Sequence, residues 1–199
     1  MDEAEFVEAL LTTPGETIIR PAKDMRSPKS KPKASRPYMP GYGLPKGIKG
    51  LLPWSWAERR LERSHNYWIT TAKPDGSPHT MVVWGLWLEG VFLFSTGRQS
   101  RKARNLAANR HCVVSTEQAH QAVIVEGVAE EEVDLDRRRL FLKRYERKYA
   151  FDMSAMEADI LSLKEPIYAV RPGVAFGLDE KKSLTAATRW RFGRARTSA

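Results

Sequence analysis

Between Asn66 and Thr96 the chain makes three β-rich runs with almost nothing between them. The first, Asn66-Tyr67-Trp68-Ile69-Thr70-Thr71-Ala72, is dense in aromatic and β-branched residues, which suit a pleated, half-buried surface. Pro74-Asp75-Gly76 turns the chain: proline presets φ, aspartate bonds nearby backbone, and glycine accepts a positive φ. The second run, from about His79 to Leu88, carries Met81, Val82, Val83, Trp84, Leu86, Trp87 and Leu88. Glu89-Gly90 then turns it into the third, Val91–Thr96. Connections this short cannot hold the crossover of about a dozen residues that parallel neighbours need. The three runs therefore read as an antiparallel meander.

Later segments extend that reading. Ser100 to Ala108 reads as a short helix capped by the Ser100 hydroxyl. His111–Thr116 and Gln121 to about Val133 read as strands, and Ile167–Arg171 and Val174–Leu178 as two more that close the sheet. Helices are expected over about 134–149 and 154–163, the second opening on a capping box, Ser154 with Glu157. A similar box, Ser55 with Glu58, starts a first helix that runs to about Arg63. Thr188–Phe192 adds a last strand or strap. Short strands dominate and there is no regular alternation of strand and helix. The expected class is mainly β, an antiparallel barrel with attached helices.

Charge separates the domain from its flanks. The chain of 199 residues has a net charge of +9. Residues 1–16 hold five acids and no Lys or Arg, whereas residues 17–50 hold nine basic residues and one acid. Residues 51–179 come to only +1, and residues 180–199 to +5. Half of the twelve prolines lie between Pro21 and Pro45. Residues 1–50 thus read as a basic, Pro-rich extension, with an ordered strap near 36–45 where Tyr38 and Tyr42 sit among glycines. Residues 51–192 read as the folded domain and 193–199 as a tail. A nearly neutral domain does not fit nucleic acid as the main partner. No apolar run approaches the ~20 residues of a membrane span. The acidic start, Met1-Asp2-Glu3-Ala4-Glu5, is unlike a secretory signal, so a cytoplasmic location is expected.

One stretch carries chemistry. Ser95-Thr96-Gly97-Arg98-Gln99-Ser100-Arg101-Lys102 passes from strand end through a glycine turn into a helix start. Cations on the first turn oppose the helix dipole by about 0.3–1 kcal/mol each. A bound phosphate reverses that sign, because free N–H groups there already attract anions. The bland alternative is a solvated helix with ordinary surface cations. The strand around His79–Trp84 is by itself a core strand, and gains interest only from its neighbour. Elsewhere the ordinary readings prevail. Gly41-Tyr42-Gly43 lacks a third glycine and a preceding strand, so it is no dinucleotide fingerprint. His65, His79, His111 and His120 lack metal-ligand spacing, and Cys112 reads as a small buried hydrophobe. The acidic run Glu130–Glu132 and the basic run Arg137–Arg139 read as solvated faces.

Taken in order, these pieces resemble the pyridoxamine 5′-phosphate oxidase-like, FMN-binding split β-barrel family. The matching stretches are Tyr67–Thr71 with Pro74-Asp75-Gly76, Pro78–Trp84, Phe94-Ser95-Thr96 and Ser100–Leu106. Val125–Ala129 and Ala187–Phe192 also fit, so the likeness spans about 55 to 192. The resemblance implies a homodimer with cofactor at the interface. It implies that Arg101 and Lys102 hold a cofactor phosphate, with Ser95, Thr96, Ser100 and Asn105 assisting. His79, Met81, Val82, Val83 and Trp84 would line the ring and its side chain, and Trp190 would close the site from the partner subunit. True pyridoxamine phosphate oxidases end in an Arg-Leu-x-Pro segment, whereas this chain has Trp190-Arg191-Phe192-Gly193-Arg194. The resemblance therefore points to the branch that uses FMN or the deazaflavin coenzyme F-420. Hydride would pass to or from a small substrate, apolar or conjugated if Trp84, Trp87 and Trp190 flank it. The cofactor's ring does that chemistry and no side chain is required as general base. Two other readings stand beside this one. The same barrel could store or sense a flavin or haem without turnover, or the basic arm over 17–50 could bind polyanions.

Overall fold

The structure, a computed structural model, describes residues 31–182 and 184–193. Residues 1–30 of the expected extension and 194–199 of the expected tail lie outside them. Among the described residues nine strands form one antiparallel sheet that does not close, with four α-helices around it. In chain order these are β1 (Lys33–Ser35), α1 (Trp54–Arg63), β2 (Tyr67–Ala72), β3 (Pro78–Val83), β4 (Leu86–Leu88), β5 (Val91–Ser95) and α2 (Arg101–Ala108). There follow β6 (His111–Thr116), β7 (Gln121–Glu131), α3 (Leu135–Tyr149), α4 (Ser154–Leu161), β8 (Ile167–Asp179) and β9 (Thr188–Arg191).

The sheet runs β1-β9-β8-β7-β6-β2-β3, and β5 with β4 branches from β8. β8 makes the branch possible. Its first residues pair with β5 (Val170 with Phe92, Ile167 with Ser95), and its later residues pair with β9 (Val174 with Arg191, Gly177 with Thr188). Along its length it also pairs with β7. β3 pairs only with β2, and β5 only with β4 and β8, so the barrel is split between β3 and the β4–β5 hairpin.

The predicted strand from His79 to Leu88 is therefore two strands. The break falls at Trp84-Gly85. A Cβ on Gly85 would lie 2.3 Å from Phe92 Cζ and 2.7 Å from the Leu93 carbonyl oxygen, so only bare backbone passes there. The meander holds for β2 with β3 and for β4 with β5, and fails between β3 and β5. The two expected closing strands, Ile167–Arg171 and Val174–Leu178, are the single strand β8, with the ladder shifting register between Glu126 and Gly127 opposite Pro172-Gly173.

Two cores result. One fills the barrel with Tyr67, Ile69, Phe92, Phe94, Val125 and Trp190. The other lies under α3 and α4 and takes Leu86, Val91, Leu93, Phe141 and Ile160. β5 feeds both, which is why Val91 to Phe94 are all buried and its sequence does not alternate.

Local signals had mixed outcomes. Ser100 caps α2, its Oγ accepting from the Ala103 N–H at 3.2 Å. Ser55 and Ser154 do not cap. Pro53 already holds the extended conformation that precedes α1, and the Asp152 carboxylate takes the Ser154 N–H at 2.9 Å before α4. The strap is held by Arg36, which donates to the carbonyls of Gly47, Lys49, Thr185 and Ala187, while Tyr38 and Tyr42 stay exposed. Nor are the two charged runs solvated faces throughout, although Arg139 is exposed. Glu132 and Arg138 are both fully buried, and Glu130 and Glu131 pair with Arg110, Arg171 and Arg98. No described helix is long and apolar enough to cross a membrane.

Candidate functional site

The split is bridged by α2. The chain leaves β5 at Ser95, whose Oγ donates to the Pro166 carbonyl at 3.1 Å and pins the strand end to β8. The Thr96 Oγ1 donates to the Ser100 Oγ at 3.1 Å, and the Ser100 N–H bonds to the Gly97 carbonyl at 2.8 Å. This tight turn presents the first turn of α2 with its own N–H groups free of helical partners. No acidic residue stands on that turn. Arg101 is exposed and Lys102 half-buried, and no described carboxylate pairs with either. Burial lowers the Lys102 pKa from its ordinary value, because its charge is desolvated with nothing to compensate it.

The other end of α2 is tied to the opposite side of the split. Asn105 is 1% exposed, and its Nδ2 donates to the Thr71 Oγ1 of β2 at 2.9 Å. Thr71 in turn donates to the His79 carbonyl of β3 at 3.4 Å. By register, Tyr67, Ile69 and Thr71 of β2 share an inner face with Val83, Met81 and His79 of β3. Met81 is 47% exposed although it faces inward, because β3 has no second neighbour to cover it. Lys102 lies three residues before Asn105 and so on the same side of the helix. The fold thus gathers His79 and Met81 on one lip and Thr96, Ser100, Arg101 and Lys102 on the other.

Other expected site residues are placed differently. Trp190 is fully buried in its own barrel, 5.3 Å from the Trp54 ring and tight against Gly177, where a Cβ would come within 2.5 Å of it. It cannot close a partner's site. Asn105 is enclosed and its amide nitrogen is spent on Thr71, so its visible role is to tie α2 to β2. Ser95 has spent its hydroxyl on Pro166. Val83 is core, and Val82 points to the outer face with Trp68 and Thr70. Trp84 leaves the lip, stacks on Tyr149 at 4.6 Å and donates from Nε1 to Asn66 at 3.1 Å. Trp87 is also core, so the aromatic argument for an apolar substrate loses its three residues.

Two residues escaped the sequence reading. Thr71 is the inward hydroxyl that links α2 to β3, and the alternation Tyr67, Ile69, Thr71 marks it as inward. Lys148 of α3 donates to the Tyr67 hydroxyl at 2.8 Å and to the Gly85 carbonyl at 3.0 Å, so it fixes the corner from which β3 departs. Burial pulls its pKa down to about 8. No sequence signal marks it. Cys112 behaves as a buried hydrophobe, its thiol pushed up to about 12 by burial.

A sheet that curls without closing, with a cationic helix start across the gap, defines a split β-barrel. The chain belongs to the pyridoxamine 5′-phosphate oxidase family, whose model matches residues 57–165, more than half of the sequence. Among solved structures it is similar to a conserved hypothetical protein from Mycobacterium tuberculosis, with 18% identity over 69% of this chain and 92% of that one and a TM-score of 0.58. It is also similar to a haem-binding protein from Mycobacterium smegmatis (15% identity, 68% and 62% covered, TM-score 0.51). Those two likenesses show the fold. An F420 reductase gives 26% identity over 59% of this chain and 94% of that one, with a TM-score of 0.49. No curated protein matches the chain.

Proposed function

We propose that the protein is a flavin-type oxidoreductase that holds FMN or coenzyme F-420 by its phosphate at the start of α2. The observation that carries this reading is Lys102, a half-buried cation with no described carboxylate partner, on a helix turn with no acid. Phosphate there satisfies the lysine, the neighbouring Arg101 and the free N–H groups together, and the Thr96 and Ser100 hydroxyls lie beside them. His79 and Met81 line the inner face of β3 along which a flat ring system lies. The bound ring supplies the hydride chemistry. The chain's own part is to hold the phosphate, orient the ring along β3 and keep water from its inner side. Met81, apolar and open at the lip, favours a small apolar or conjugated substrate.

A homodimer is part of the proposal. On the outer face of the sheet Trp68, Val82, Val113, Ile124, Val174 and Phe176 come together, and none of them is buried. An open groove of about 490 Å³ lies on that face between β2 and β8. Apolar area of this extent, uncovered by any described helix, suits a second copy of the chain.

The test is a parallel fluorescence titration with FMN and with coenzyme F-420, repeated on Lys102→Ala. One cofactor should bind tightly, and the variant should lose about 1.5–3 kcal/mol, roughly 10- to 150-fold in affinity. Equal affinity in the variant removes Lys102 from the phosphate site, and no binding of either cofactor overturns the reading. Binding without reoxidation of the reduced cofactor by any conjugated acceptor favours the storage or sensing module.

A further inference from the structure

α1 carries a second cationic site that the cofactor reading does not use. Arg59, Arg60 and Arg63 line a groove of about 380 Å³ with Trp56, Ser64, Thr116, Gln118 and Gln121. No acidic side chain lines it. Glu58 and Glu62 stand on α1 itself without pairing to Arg59 or Arg63, and two carboxylates at the ends of neighbouring strands accept backbone bonds. Glu117 accepts from the His65 and Asn66 N–H groups and the Asn66 amide, and Asp179 accepts from the Lys181 N–H. Arg60 is held rigidly, with its guanidinium 3.7 Å over the Trp56 ring and bonds to the Trp56 carbonyl and the Gln121 Oε1 at 2.9 and 2.7 Å. Its Nε is buried with no partner. Arg59 and Arg63 are exposed, stand four residues apart on one face, and have no described carboxylate partner.

The helix dipole accounts for part of this. Arg60 and Arg63 lie in the last turn of α1, where cations are favourable. It does not account for Arg59, nor for three like charges gathered round one concavity. Cations four apart on a helix repel. Arg59 and Arg63 both help burial to lower the Arg60 pKa, although Asp179 opposes them. An anion in the groove reverses every one of those repulsions. The guanidinium fork suits paired oxygens, and the Gln118 and Gln121 side chains add amide N–H donors. The groove exceeds the size of one phosphate and has a polar lining, which excludes an apolar guest.

We propose that the α1 groove binds a small, multiply charged phosphate compound, held by Arg59 and Arg63 over a preset Arg60, at a site separate from the Lys102 anchor. The probe is inorganic pyrophosphate, titrated into the full ¹⁵N-labelled chain while the arginine Nε–H resonances are followed. Arg60→Lys assigns the Arg60 signal. That signal should move and saturate. The apparent affinity should fall at least tenfold in Arg59→Gln/Arg63→Gln and stay unchanged in Lys102→Ala. Both altered arginines are exposed, so the double variant should melt as the wild type does. A stationary Arg60 signal, as pyrophosphate held only by the basic arm would leave it, overturns the proposal. So does an equal affinity in the double variant, or a loss of the effect in Lys102→Ala.

Discussion

Arg101-Lys102 and Arg137-Arg138-Arg139 are both short basic runs near the start of a helix, and the fold treats them oppositely. Arg138 is fully buried and donates to the carbonyls of Glu132, Ile160 and Glu165, which come from β7's end, α4 and the loop after it. Arg137 pairs with the buried Glu132 at 3.2 Å, and Arg139 with Asp136 at 3.0 Å. Arg101 and Lys102 face a helix start with neither carboxylate nor carbonyl assigned to them. What separates a structural cation from one available to a ligand is thus the supply of acceptors around it, not the run of charges. Arg98 makes the same point three residues before Arg101. It is bidentate to Glu131 and bonds the Leu163 and Lys164 carbonyls, so it staples a loop.

Four variants sharpen that contrast. Arg138→Ala strands three carbonyls, those of Glu132 and Ile160 in buried bonds, and should cost about 3–5 kcal/mol, with a melting point lower by roughly 10 °C. A loss below about 1 kcal/mol would mean that water replaces the guanidinium. Lys148→Met should change the pH dependence of stability. A lysine at about 8 when folded and 10.5 when unfolded makes the unfolded chain bind more protons between those values. Wild-type stability should therefore rise with pH across that window and the variant's should rise less, as urea midpoints at pH 7, 8, 9 and 10 will read. Ser100→Ala should cost about 1 kcal/mol by loss of the cap, and should also weaken cofactor binding if the helix start holds phosphate. Arg139→Ala should fall within about 0.5 kcal/mol, since its pair with Asp136 is exposed on both sides.

Where the sequence spoke clearly, the information was local. The Ser100 cap, the turn at Pro74-Asp75-Gly76 and the extent of β2 rest on neighbours within a few residues. Lys102 stood out for the same reason, since its helix start and its missing acid are both written within one turn. The break at Gly85 was not legible, because it answers to Phe92 crossing the chain from another strand. Arg138 was hidden because its three acceptors meet only after β7, α4 and β8 have assembled. Trp190 misled because an aromatic near a chain end fits a lid and a core equally well, and only the bare face of Gly177 decides between them.

The shared strand β8 also sets a timetable. β5 must wait for it, with Ser95 meeting Pro166 71 residues further along the chain. Until β8 has been synthesised, the β4–β5 hairpin has no neighbouring strand, and Phe94 lacks the Tyr168 ring on which it stacks at 5.5 Å. Pairings this distant place the protein among slow folders, on the scale of milliseconds to seconds. A chain that stops short of Ile167 offers an open edge and a bare aromatic face. Folding of the barrel therefore waits for β8, and premature termination before it yields an aggregation-prone fragment instead of a smaller domain.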